Sequence, residues 1–242
     1  MTPKFHEIVR DGYLDRILMY AKVLIEVENI IEELIEDIDT TPPGLSLKIE
    51  GIYTDRIDNV IKVYINLGKR CSLEKKVDNI SIEIECKNVY PNSNEVYRTL
   101  IVELMRLAIK SLKPYINRSK EYMFITILGS KTSGTLVLEG EEKNITIPYI
   151  PGTIFICHTH PKTYSAIFSK NDILSLLDIL SNQGFGSCVI TPSTQFTIYR
   201  YRPFVIEDYY KLFRIAKEYE YLDYVLFHRI GFSSLESIYS TI

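Results

Sequence analysis

The stretch "CHTHPKTYSAIFSKND", residues 157–172, holds two of the four histidines in a chain of 242 residues. It overlaps the end of the apolar run "TIFIC" (153–157), which predicts a strand. In an extended strand, side chains two residues apart point to the same face, so His158 and His160 are predicted to lie side by side. Two such imidazoles can share one divalent metal ion. Taken alone, the pair is equally typical of two solvent-facing histidines at a strand end.

Ser169 and Asp172 stand at the start of the next predicted helix, residues 170–182. A serine followed three residues later by an acid is the pattern of a capping box. A capped helix start also holds its carboxylate stiffly, as a metal ligand requires. Asp172 borders the apolar face of this helix and could point back toward His158 and His160. Three protein ligands with a fourth position open to water are typical of a catalytic zinc site.

The first part of the chain predicts a helix followed by strands. Residues 13–37 keep apolar side chains at the spacing of one helix face. Three segments around residues 45–49, 61–67 and 80–86 then alternate apolar and polar side chains. This alternation predicts a half-buried antiparallel meander.

The second part predicts a mixed sheet between helices. Predicted in order are a helix at 95–112, strands at 121–129, 134–139, 144–149 and 153–158, the helix at 170–182, strands at 187–191 and 195–201, and helical segments from about 206 to the end. The fold class is therefore α+β, with an α/β-like sandwich in the second part. The domain prediction is an accessory α+β domain at 1–93 and a second domain at 94–242. The alternative is one domain whose sheet includes the N-terminal strands.

Composition excludes several classes of protein. With 46% hydrophobic and 24% charged residues, the chain can bury a core and is not of the disordered type. The net charge is −3 and no dense basic stripe is present, which argues against nucleic acid as a partner. No apolar run approaches the roughly 20 residues that span a bilayer. The four cysteines are scattered, which argues against a disulfide scaffold and favours a reducing, cytoplasmic location.

The combined pattern His158-x-His160, a loop, and Ser169-x-x-Asp172 resembles the signature of the JAMM/MPN+ family of zinc metalloproteases. The resemblance covers about residues 95–202. The family pattern has seven residues between the second histidine and the serine, whereas this chain has eight, residues 161–168. The resemblance implies a JAMM/cytidine-deaminase-like sheet flanked by helices, a Zn²⁺ cofactor, and hydrolysis of isopeptide or peptide bonds at the C-terminus of a ubiquitin-like modifier. It also implies that Ser169 helps to hold the oxyanion.

The family has a catalytic glutamate upstream of the histidines, and Glu121 is the preferred candidate in this chain. It opens the predicted strand "EYMFITILG" in phase with Met123 and Ile125. Glu139, Glu141 and Glu142 are the alternatives, in or beside a predicted turn. A carboxylate in this position would act as the general base on a metal-activated water and later protonate the departing amine.

Two other functions remain open on the sequence alone. A non-catalytic JAMM-fold scaffold would use residues 1–93, whose order of elements vaguely resembles RWD and ubiquitin-conjugating-enzyme folds, to bind a partner. A JAMM-fold protein acting in DNA repair is the other alternative. The presence of all three predicted ligands favours the enzyme, since scaffold members of the family typically lose some of them.

Overall fold

The computed structural model describes residues 4–7, 11–36, 47–53, 55–67, 71–129, 133–141, 150–161, 165–219 and 221–242. The predicted strand at 144–149 lies outside these residues. In chain order the elements are β1 (Lys4–Glu7), α1 (Gly12–Glu36), β2 (Leu47–Ile52), β3 (Ile57–Ile65), β4 (Ser72–Val77), β5 (Ile80–Cys86), α2 (Ser93–Leu112), β6 (Tyr122–Leu128), β7 (Ser133–Glu139), β8 (Thr153–Thr159), β9 (Phe168–Ser169), α3 (Lys170–Ser181), β10 (Gly186–Ile190), β11 (Thr194–Arg200), α4 (Ile206–Glu218), β12 (Tyr221–Leu222), α5 (Tyr224–Ile230) and β13 (Leu235–Thr241).

The chain divides into two compact units, residues 12–100 and residues 1–11 together with 101–242. The division falls within α2, and the domain boundary at residues 93 and 94 remains a prediction. Both units combine helices with mixed sheets, which agrees with the predicted α+β class. Among the described residues, no helix is both long enough and apolar enough to cross a membrane.

The smaller unit contains a four-stranded sheet in the order β2-β3-β5-β4. The prediction of an antiparallel meander is wrong, because β3 and β5 run parallel and a fourth strand, β4, lies beyond them. The sequence "SLEKKV" of β4 is mostly exposed, which suits an edge strand and gives no apolar alternation. The alternating isoleucines of β5 are buried, so the later strand occupies the interior position.

A disulfide joins Cys71 and Cys86, which stand opposite each other where the hairpin of β4 and β5 opens. The scattered cysteine spacing gave no sign of this pair, because register rather than spacing brings the two residues together. The argument for a reducing location therefore loses its basis. Cys157 and Cys188 are free and buried.

The larger unit is built on a seven-stranded sheet in the order β1-β7-β6-β8-β10-β11-β13. The mixed sheet predicted here is confirmed, with β8 and β10 forming a parallel pair between antiparallel neighbours. The helical prediction for the C-terminus is wrong for residues 235–241, which pair with β11 as strand β13. Gly231 ends α5 at φ 66, a conformation that disfavours continuing the helix, and the β-branched and aromatic residues after it suit a strand.

Helix α3 packs on one face of this sheet. Its Ile179 joins a buried cluster with Met123, Ile125 and Ile156 of strands β6 and β8. Its other buried apolar residues pack in a second core with residues of β9, β10, β11 and the C-terminal elements, including Phe168, Phe196, Leu222 and Phe227. The first turn of α3 is thereby held against the end of β8.

Candidate metal centre

Strand β8 brings the two histidines together as its alternation predicts. The Nε2 atoms of His158 and His160 lie 3.1 Å apart. His158 is almost fully buried, with 1% of its surface exposed, and His160 is half-buried. The main-chain N–H of His160 donates to the carbonyl of Ile190, so the pairing of β8 with β10 continues one residue past the end of β8. Both rings are therefore held on a rigid framework.

The predicted capping box is confirmed at the start of α3. Ser169 is the N-cap, and its main-chain N–H and its hydroxyl donate to Oδ2 of Asp172 at 2.8 and 2.7 Å. These bonds leave Oδ1 to face the site, where it lies 3.4 Å from Nε2 of His158. The eight-residue spacing before Ser169 is thus compatible with its position at the cap.

His158, His160 and Asp172 form a group that could hold a metal ion, since one donor atom from each lies within 4.8 Å of the others. Two donors about 2.0–2.1 Å from a tetrahedral zinc would be roughly 3.3–3.4 Å apart. The observed separations of 3.1 and 3.4 Å are close to this value. Two imidazoles and a carboxylate are also ligands that zinc accepts.

The ring of His160 is already in the form that a metal ligand needs. Its Nδ1 lies 3.2 Å from the carbonyl oxygen of Ser165, which can only accept, so Nδ1 carries the hydrogen and Nε2 keeps its lone pair. Burial and the nearby charge of His158 lower the pKa of His160 to about 4. His160 is therefore neutral at neutral pH.

His158 and Asp172 lie at ion-pair distance, and each shifts the pKa of the other. Burial alone would lower the pKa of His158, but the charge of Asp172 and its hydrogen bond outweigh burial and raise that pKa above the ordinary value. Burial would raise the pKa of Asp172, yet the charge of His158 and the hydrogen bonds from His158 and Ser169 hold it well below its usual range. The raised pKa of His158 favours its protonated form, so a cation that binds between these side chains would compete with that proton.

Glu121 lies at the same site. It immediately precedes β6, whose register pairs Met123 with His158, so one further step of two residues places Glu121 opposite His160. Its main chain is fixed by hydrogen bonds with Gly140 and Glu141.

The side chain of Glu121 is only 8% exposed, and its environment shifts its pKa. Burial raises the pKa of the carboxyl, the charge of His158 opposes this rise, and the charge of Asp172 adds to it. A raised pKa makes a carboxylate a stronger base, as a proton acceptor in catalysis requires.

The alternative glutamates differ from Glu121 in their surroundings. Glu139 forms an ion pair with Lys120, and Glu141 is exposed. Glu142 lies outside the described residues.

Cys157 and Cys188 lie next to each other on β8 and β10, on the opposite face of the sheet from His158. Both thiols are buried, and burial together with the neighbouring Cys188 raises the pKa of Cys157 well above its ordinary value. The prediction that Cys157 is a small core residue is confirmed.

Sequence reasoning missed one neighbour of the site, Tyr221. It pairs with Ser169 in a short antiparallel ladder between β12 and β9. The two residues are 52 positions apart in the chain, so no local sequence pattern predicts this pairing.

No family model, curated protein or solved structure matches this chain.

Proposed function

We propose that this protein is a zinc-dependent isopeptidase or peptidase that hydrolyses the bond at the C-terminus of a ubiquitin-like modifier. The observation that carries the proposal is the convergence of His158, His160 and Asp172 beside the buried carboxylate of Glu121. The resemblance of the motif to the JAMM/MPN+ signature supplies the reaction and the substrate class.

His158, His160 and Asp172 would hold the ion, each through one donor atom. A zinc ion bound there would polarise the scissile carbonyl and lower the pKa of a water molecule from about 15.7 toward about 7. Glu121 would accept the proton of the attacking water and pass it to the departing amine. Its burial favours this role, because a carboxylate removed from solvent holds the transferred proton more readily.

Ser169 would either orient Asp172 or hold the substrate oxyanion. Its hydroxyl has a single hydrogen, which it donates to Asp172. To hold a substrate oxyanion, as the resemblance implies, the hydroxyl has to rotate away from Asp172, which would keep the hydrogen bond from the main-chain N–H of Ser169. The side chain is exposed, so this rotation meets no buried obstacle at the residue itself.

The test incubates the purified protein with ubiquitin and ubiquitin-like modifiers that carry a fluorogenic amide at the C-terminus, with and without a chelator. We expect zinc-dependent release of the fluorophore, and we expect Glu121→Gln to bind zinc but not to hydrolyse the amide. Glu141→Gln is the matched control, since this neighbouring glutamate is exposed.

Hydrolysis that persists after complete removal of metal would refute the proposal. A protein that takes up no zinc would refute it as well, and would favour the non-catalytic scaffold.

A further inference from the structure

The short ladder between β9 and β12 places a tyrosine at the edge of the metal centre. Tyr221 pairs with Ser169, and Leu222 pairs with Phe168. Directly opposed residues of an antiparallel pair project to the same face, with Cβ atoms about 4.5–5.5 Å apart. The ring of Tyr221 therefore stands on the same side as the hydroxyl of Ser169.

The two faces of this ladder have different surroundings. Phe168 and Leu222 are fully buried in the core that also contains Phe196 and Phe227, and they anchor the ladder. Ser169 is exposed, and Tyr221 keeps 46% of its surface in solvent. The tyrosine is thus fixed through its main chain and through its neighbour in the core, while its ring remains available.

Through its main chain, Tyr221 is one residue away from the predicted metal ligands in the sequence of contacts. Tyr221 pairs with Ser169 in the ladder, the hydroxyl of Ser169 donates to Oδ2 of Asp172, and Oδ1 of Asp172 lies 3.4 Å from Nε2 of His158. A peptide whose scissile bond is centred on the ligands would extend within reach of the tyrosine. A half-exposed aromatic ring offers such a chain an apolar surface to pack against.

We propose that Tyr221 is a substrate-contacting residue that packs against the peptide chain next to the scissile bond. This inference rests on the proposed function for the identity of the substrate. It adds a residue outside positions 95–202, the stretch over which the chain resembles the metalloprotease family. We expect the effect to be on substrate affinity rather than on the chemical step, because the ladder pairs Tyr221 with Ser169 and not with a predicted metal ligand or with Glu121.

The experiment compares wild type with Tyr221→Ala, Tyr221→Phe and Tyr210→Ala. Tyr210 is the matched control, an exposed tyrosine of α4 with 64% of its surface in solvent and no pairing to Ser169. The probes are ubiquitin and ubiquitin-like modifiers with a C-terminal aminocoumarin amide. We measure KM and kcat for the zinc-loaded proteins, zinc content, and equilibrium binding of the same probes to each variant in a Glu121→Gln background.

We expect Tyr221→Ala to raise KM and the dissociation constant by about fivefold to tenfold, the worth of one aromatic contact, with kcat and zinc content unchanged. Tyr221→Phe keeps the ring and should behave as wild type, as should Tyr210→Ala.

If wild type cleaves a probe and Tyr221→Ala has wild-type KM, the role of Tyr221 is refuted and the hydrolase stands. If no probe is cleaved but one is bound in a manner that depends on Tyr221, the hydrolase is refuted and the contact stands. If no probe is either cleaved or bound, both proposals are refuted.

Discussion

The hydroxyl of Ser169 is expected to control the zinc affinity of the site through Asp172. Ser169→Ala removes the hydrogen bond of 2.7 Å to Oδ2 but leaves the main-chain N–H, which donates to the same oxygen at 2.8 Å. The variant therefore loosens the carboxylate without removing it. It also deletes the side-chain cap of α3.

The size of the effect follows from these two losses. A hydrogen bond to a charged group contributes about 1.5–3 kcal/mol, and removing a partner that orients a metal ligand commonly costs roughly 10–100-fold in metal affinity. Because one of the two donors to Oδ2 is retained, we expect the lower end, about a tenfold loss of zinc affinity. Loss of the N-cap should separately lower the free energy of unfolding of the metal-free protein by about 1 kcal/mol.

Zinc affinity is measured by competition with a chromophoric chelator, and stability by urea unfolding of the metal-free protein. Ser169→Thr should preserve both quantities, because threonine retains the hydroxyl and is an accepted N-cap. Ser175→Ala is the control for a general effect on α3, since this hydroxyl donates to the carbonyl of Asn171 within the same helix.

A zinc affinity of Ser169→Ala within twofold of wild type would refute the reasoning, because the hydroxyl would then not be what orients Asp172. If the hydroxyl also holds the oxyanion, kcat of Ser169→Ala measured at saturating zinc should fall by the equivalent of about 2.7–4 kcal/mol in barrier height.

Three further outcomes are expected. Glu121→Gln should lower kcat by at least about 10²-fold at unchanged zinc content, and a variant that cleaves normally would exclude Glu121 as the base. Zinc binding at pH 6.5 should release more than half a proton per ion, because the raised pKa of His158 keeps most metal-free molecules protonated at that pH, whereas a histidine ligand must be neutral. Calorimetry in buffers of different ionisation enthalpy measures the number of protons released. Zinc affinity should also rise with pH until His158 has lost its proton. Replacing both Cys71 and Cys86 by serine should lower the free energy of unfolding by about 3 kcal/mol for a closed loop of this length, and an unchanged denaturation midpoint would contradict a stabilising disulfide.

The part of the site that sequence could predict is the part encoded within a few residues. Alternation along a strand placed His158 beside His160, and the capping box placed Asp172 at the start of a helix. Both patterns depend on local geometry with a fixed period, so they do not require knowledge of the remaining chain.

The features that were predicted wrongly or missed depend on pairing over long distances. Periodicity showed that the second and third alternating segments are strands, but it does not give the direction in which they pair. They are adjacent and parallel because β4, which lies between them in the chain, occupies the edge of the sheet. The Cys71–Cys86 bond and the pairing of Tyr221 with Ser169 have the same origin in register. The helical prediction at the C-terminus failed because it extended the helix past Gly231, whereas the seven residues of β13 form a complete ladder with β11, a partner that periodicity within the segment does not reveal.

The shared core around α3 limits how far the stretch from His158 to Asp172 could be excised. A fragment ending at residue 202 would contain both histidines, Ser169 and Asp172, yet it would lack Leu222 and Phe227 from the apolar core and β13 from the edge of β11. Exposing that surface would loosen the helix that presents the carboxylate. Any transplant of this motif into another scaffold should therefore carry the last forty residues with it.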